Sequence, residues 1–169
     1  NNLCSSIIEA AISQINVVAT IHGLQGKEAG EDIDLLQMLT AISGSLSEFI
    51  QAHFTSPVRV ADGNIRLYLN RDESVPVALA LNELMVNAAK HGSSPMDISL
   101  HCSCEHAIIH IENQSSQAIS LLQPGSGLEL VHALLQTEGV AFRYEHGGHR
   151  FMAEIILTPP IIQSHRGAQ

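Results

Sequence analysis

Basic residues are scarce in this chain of 169 residues. Eight Lys and Arg stand against 17 Asp and Glu, a net charge of −9, and only Lys27 and Lys90 are lysines. Phosphate neutralisation along a nucleic acid needs a basic face, so nucleic-acid binding is excluded as a main role. A polybasic membrane anchor falls on the same count. The longest apolar run, residues 75–81 with the proline included, has seven residues, against the roughly 18 that a membrane span requires. There is no basic-then-apolar leader, and the chain starts at Asn1 without a Met. It reads as an excised piece of a larger cytoplasmic protein. Three cysteines cannot all pair with one another. Cys102 and Cys104 fall on one face of an expected strand, where neighbouring side chains seldom bridge. With no CxxC pair either, a disulfide framework and a structural zinc site are both excluded.

What is present is core. Apolar residues reach 45% while charged ones make up 15%, below the roughly 25% of ordinary soluble domains. A chain of this length buries about 70% of its unfolded surface, so one domain with an appendage needs no staples.

Periodicity orders the chain. Over residues 4–24 the positions Ile7, Ile8, Ala11, Ile12, Ile15, Val18, Ala19 and His22 recur at three- and four-residue steps, one stripe of an amphipathic helix stopped by Gly23 and Gly26. A second helix is expected over 33–53, carried by Leu35, Leu36, Leu39, Ile42, Leu46, Phe49 and Ile50. Short strands at 58–61 and 65–69 flank Asp62-Gly63-Asn64, a hairpin turn signal. Ser74 as N-cap and Pro76 in the first turn open a helix that runs to about His91 and stops at Gly92. Strands follow at 96–104 and 107–113, then a polar stretch over 114–126 and a short helix over 128–136. Strands at 140–145 and 149–157 close the chain as a hairpin around Gly147-Gly148. Pro159-Pro160 ends the fold and leaves a loose tail over 161–169. The fold class expected is α+β: helices on one face of a mixed, mostly antiparallel sheet, with an N-terminal helical arm over 1–30 and the main domain over 31–160.

Two segments carry chemistry. In Leu81-Asn82-Glu83-Leu84-Met85-Val86-Asn87-Ala88-Ala89-Lys90-His91-Gly92, Glu83, Asn87 and Lys90 or His91 share one side of a helix, with Leu81, Leu84, Met85 and Ala88 on the other. A carboxylate and an amide oxygen one turn apart suit a hydrated Mg²⁺, and a lysine one turn further reaches a phosphate. Spacing alone also fits a plain solvated helix face, the commoner meaning of such a column. The second segment, Pro124-Gly125-Ser126-Gly127-Leu128, is a Gly-x-Gly turn leading into a helix. Its backbone N–H groups can approach an anion closely, which matters in a chain with two lysines. It is neither a P-loop nor the dinucleotide GxGxxG.

In this order, the two segments resemble the N box and a glycine box of the GHKL ATPase superfamily, in its bacterial sensor histidine kinase branch. Asn1-Asn2-Leu3 is similar to the end of the H-R-x-x-N-N-L motif of HWE-like and related kinases, and Ile21-His22-Gly23-Leu24-Gln25 resembles the end of their second dimerisation helix. The resemblance implies a two-layer Bergerat-type ATP-binding fold, with ATP and Mg²⁺ as its ligands. It also implies a homodimer through the N-terminal helices and a response-regulator receiver domain as partner. Asn87 would be the Mg²⁺ ligand, Glu83 would orient the metal water or the attacking group, and Lys90 and His91 would face the phosphates. Gly125, Ser126, Gly127 and Leu128 would form the glycine box under a lid over 114–124. The implied reaction moves the ATP γ-phosphoryl to a histidine nitrogen.

Three departures accompany the resemblance. Asn113 stands where the family carries the Asp that accepts from the adenine amine; its carbonyl oxygen accepts the same bond without charge. Glu129 replaces a frequent glycine. The phosphoacceptor histidine would lie upstream of Asn1, with most of the first dimerisation helix missing between Leu3 and Cys4. His22 is the one stand-in acceptor on the arm, and its position in the resemblance makes it a packing residue. His146 and His149 flank a tight Gly-Gly turn, which explains the motif without a metal. Two rival readings remain: a degenerate kinase-like scaffold for phosphotransfer or docking, favoured by Asn113, and an anti-sigma-type serine kinase. The helical arm argues against the latter.

Overall fold

Apolar residues at every second position build the sheet. The computed structural model describes residues 2–25, 32–49, 58–61, 65–92, 95–114, 127–147 and 149–164. Strands β4 (Asp97–Cys102), β5 (Ala107–Gln114) and β7 (Arg150–Leu157) each alternate between buried and half-exposed positions. Ile98 and Leu100, Ile109 and Ile111, and Ala153 and Ile155 therefore point to one face. With β2 (Arg59–Ala61) and β6 (Val140–Gly147) they form a five-stranded sheet in the order β2-β4-β5-β7-β6, antiparallel except for the β2–β4 pair. A smaller antiparallel sheet joins β1 (Ile33–Asp34), β3 (Leu67–Leu69) and β8 (Ile162–Ser164) in the order β1-β3-β8.

The helices share one continuous apolar core with these sheets. Helix α1 spans Asn2–Gln25, α2 Leu35–Phe49, α3 Arg71–His91 and α4 Leu128–Leu134. Leu35, Met38, Leu39 and Ile42 of α2 and Leu81, Leu84 and Met85 of α3 are fully buried. This is the expected α+β class, helices packed on a mixed, mostly antiparallel sheet. No helix among the described residues is long and apolar enough to cross a membrane.

The structure corrects four local expectations. Strands β2 and β3 do not form a hairpin: β2 runs parallel to β4, while β3 lies between β1 and β8 in the other sheet. Leu67 and Leu69 are both buried and Val60 is exposed, so the two strands answer to different surfaces, and a turn signal carries no information about either. The second helix begins at Leu35, because Ile33 pairs with Leu69 and the Asp34 carboxylate accepts the Gln37 N–H at 3.0 Å. Residues 50–53 of its expected span lie outside the described residues.

Helix α3 starts at Arg71, one residue after Asn70, whose side chain accepts the Asp72 N–H; Asp72 and Glu73 add negative charge to the first turn. Ser74 is not the cap. It is buried, and its hydroxyl donates to the Arg71 carbonyl at 2.6 Å. Pro76 consequently lies inside the helix, in its second turn. Beyond Pro160 the chain does not fall loose at once: Ile161 and Ile162 are buried and β8 pairs with β3. Residues 165–169 lie outside the described residues.

Helix α1 leaves its isoleucine stripe outside the fold and turns the other side inward. Ser13, Val17, Ile21 and Gln25 are buried at four-residue steps, whereas Ile8, Ile12 and Ile15 are 58%, 43% and 67% exposed. His22 lies with them on the exposed side rather than packed within the fold.

Candidate active site

Helix α3 carries a buried polar edge through an otherwise apolar core. Asn82 is fully buried, and Glu83 and Asn87 are 9% and 8% exposed. A plain solvated helix face is thus excluded for the last two. Buried carboxylates and amides are costly unless they are paired or used.

The turn before α4 meets this edge. Gly127 has φ +80°, a left-handed conformation, and caps α4 without a side-chain bond. A Cβ built on it would fall 2.7 Å from Glu83 Oε2 and 3.3 Å from Asn87 Nδ2. Residues 40 or more positions apart therefore converge, and the glycine leaves room for the carboxylate. The next residue, Leu128, is buried with Val131 and Leu135, which seats α4 in the core; its side chain is a packing group. Gly125, Ser126 and the expected lid over 114–124, apart from Gln114, lie outside the described residues.

At the far end of α3 the chain is equally tight. Asn113 ends the core-facing column Ala107, Ile109, Ile111 of β5 and is 3% exposed. Its Nδ2 donates to the Ala88 carbonyl at 2.7 Å, and the Gly92 N–H donates to the same oxygen at 2.8 Å. An amide can do this and an ionised carboxylate cannot, because two acceptors would face each other. The residue in the expected adenine position is therefore one that also secures the end of the helix. A Cβ on Gly92 would overlap Asn113 Nδ2 and come within 2.5 Å of its Cγ, so glycine is required by close approach. The His91 side chain lies outside the description; its backbone closes α3.

Lys90 is exposed and lies on the α1 side of α3. It lines an open pocket of about 220 Å³ with Glu9, Ala10 and Ser13 of α1 and with Val86 and Ala89.

Sequence reasoning missed the α1 side of the site. Gln14 Nε2 donates to Glu83 Oε1 at 2.7 Å, and Ser13 Oγ donates to Asn82 Oδ1 at 3.0 Å. A polar Ser-Gln-x-Asn run inside an isoleucine-rich helix is the available signal, since polar residues there gain nothing from an apolar partner. Elsewhere, no group of three or more His, Cys, Asp or Glu among the described residues converges to hold a metal. Burial, and secondarily Asp34, pushes the Cys102 thiol up, away from thiolate chemistry.

The layering of helices on a mixed, mostly antiparallel sheet is a fold shared with histidine kinase domains of known structure. The chain is similar to the histidine kinase domain of the blue-light activated histidine kinase EL346 from Erythrobacter litoralis, with TM-score 0.67 and 16% identity over 88% of this chain and 74% of that one. It is similar to the Acinetobacter baumannii histidine kinase AdeS, with TM-score 0.59 and 17% identity over 86% and 77%. It is also similar to the histidine kinase domain of the E. coli osmosensor EnvZ, with TM-score 0.58 and 16% identity over 83% and 95%. No family model and no curated protein sequence matches it.

Proposed function

We propose that the chain is the ATP-binding catalytic part of a two-component sensor histidine kinase, cytoplasmic, transferring the ATP γ-phosphoryl to a histidine upstream of Asn1. The observation that carries the reading is the meeting of Glu83, Asn87 and Gly127 in one buried corner. Asn87 offers an amide oxygen and Glu83 a carboxylate, hard donors of the kind Mg²⁺ takes in small number, so the residues fit the ion. Mg²⁺ held by Asn87 would supply charge neutralisation at the phosphates.

The chain's own residues do the rest. Glu83 orients the attacking group, and the backbone from Gly125 to Gly127 cradles the phosphates that two lysines cannot neutralise alone. Lys90, on the α1 side of α3, and His91 are assigned to the phosphate end, and Asn113, whose amide nitrogen is held by the Ala88 carbonyl, offers its carbonyl oxygen to the adenine amine. In the transfer, the imidazole lone pair forms the P–N bond as the bond to the β–γ bridging oxygen breaks and ADP leaves with that electron pair. The test is incubation of the chain with γ-labelled ATP and a segment bearing the upstream H-R-x-x-N-N-L histidine. Acid-labile, alkali-stable label on that histidine is expected. MgATP binding without any transfer would move the chain to the scaffold reading that Asn113 favours.

Helix α1 leaves Ile8, Ile12 and Ile15 exposed. With Ala19 and His22 they recur at alternating steps of four and three, the spacing of a helix–helix seam. The partner we assign to this seam is a second copy of the chain, in a parallel homodimer, and a response-regulator receiver domain is the second partner. Light scattering of the wild type should give the dimer mass. The double change Ile12→Glu and Ile15→Glu should give the monomer mass with unchanged helix content, since neither side chain is buried in the fold.

A further inference from the structure

The α1–α3 seam sets two polar pairs beside the buried Val17 and Ile21. Ser13 reaches Asn82 and Gln14 reaches Glu83, yet among the described residues the buried Asn16 Nδ2 of α1 and Asn82 Nδ2 of α3 find no hydrogen-bond partner. Leaving buried donors unsatisfied costs stability, so this seam is not arranged for strength. What polar pairs confer is register. The buried Ser13–Asn82 bond fixes how far α1 stands along α3, and that register puts Gln14 opposite Glu83.

The consequence falls on the carboxylate. Glu83 has two oxygens with different neighbours: Oε1 accepts the Gln14 amide N–H at 2.7 Å, and Oε2 lies on the side of Gly127. A glutamate has three side-chain torsions, and one fixed oxygen removes most of the freedom of the other. We propose that Gln14 is a positioning residue for Glu83, holding Oε1 so that Oε2 stays in the corner shared with Gly127 and Asn87. This inference rests on the kinase reading of that corner. It also makes the site incomplete without α1. The helix that carries the dimer seam on one face carries a site residue on the other, so a shift of α1 along α3 changes the orientation of Glu83.

The test compares Gln14→Met, similar in length but without a donor, with Gln14→Lys, which restores an N–H donor to the carboxylate. Three readouts on the whole chain separate positioning from structure: the Glu83 carboxyl ¹³C resonance without nucleotide, the Kd for MgATP, and kcat for phosphoryl transfer from MgATP to an added segment bearing the upstream histidine. In Gln14→Met the Glu83 resonance should move and kcat should fall about tenfold, the scale of losing a hydrogen bond to a charged group, while Kd holds and Tm drops by no more than a few degrees. Gln14→Lys should recover most of the lost kcat. A merely structural role would lower Tm and weaken Kd together, leaving no selective loss of kcat. An unmoved resonance, or Gln14→Met turning over like wild type, overturns the role of Gln14 and leaves the kinase reading standing. Wild type that binds no MgATP overturns the kinase reading and the role with it.

Discussion

Replacing Gly92 by alanine is expected to cost about 2–3 kcal/mol of folding stability, combining overpacking with the loss of a buried hydrogen bond. The added Cβ would overlap the Asn113 amide and stand 2.6 Å from the Ala88 carbonyl. The carbonyl is fixed by the helix, so Asn113 must give way. Asn113 is buried, and its Nδ2 is the donor that joins the end of β5 to the end of α3. Displacing it breaks the bond to the Ala88 carbonyl. Chemical denaturation should show the midpoint falling with the m-value unchanged. A variant as stable as wild type would mean that the Asn113–Ala88 contact is not held in solution.

Gly127→Ala should behave oppositely, with a modest loss of stability and a large loss of nucleotide binding. The left-handed φ of +80° costs a non-glycine residue about 1 kcal/mol. The Cβ also stands 2.7 Å from Glu83 Oε2, the far end of a flexible side chain. The carboxylate can swing away, so the clash is relieved by dismantling the corner rather than the fold. MgATP affinity is expected to fall at least tenfold, with Tm lower by a few degrees. Equal losses in both would place Gly127 in the core alone.

The contrast between these two glycines shows what a sequence can say about such a site. Glu83, Asn87 and Gly127 were legible because their motifs fix residue type and order, and the structure brings the three together. The alternation of β4, β5 and β7 was legible for a local reason: period-two burial is written into each strand. The pairing of β2 with β4 and of β3 with β8 was not, since three-residue strands take their partners from distant chain. Strand β8 hid behind two prolines that read as an end. Gln14 was illegible for another reason. Helical periodicity shows that α1 has an apolar stripe, but not that the opposite side, through Ser13, Val17 and Ile21, is the one that meets α3. Asn113 read as a weakened Asp; only the fold shows that its amide nitrogen secures the helix end.

If Glu83, Asn87 and Gly127 form a Mg²⁺-dependent ATP site, calorimetry on wild type and on Asn87→Ala will register it. Asn87 stands beside Gly127 in the corner, and circular dichroism checks that the variant is folded. Wild type should bind ATP at micromolar concentration only with Mg²⁺ present, and the variant should lose that binding while keeping wild-type circular dichroism. ATP binding that persists in Asn87→Ala, or none in the wild type with Mg²⁺ present, would contradict the proposed site.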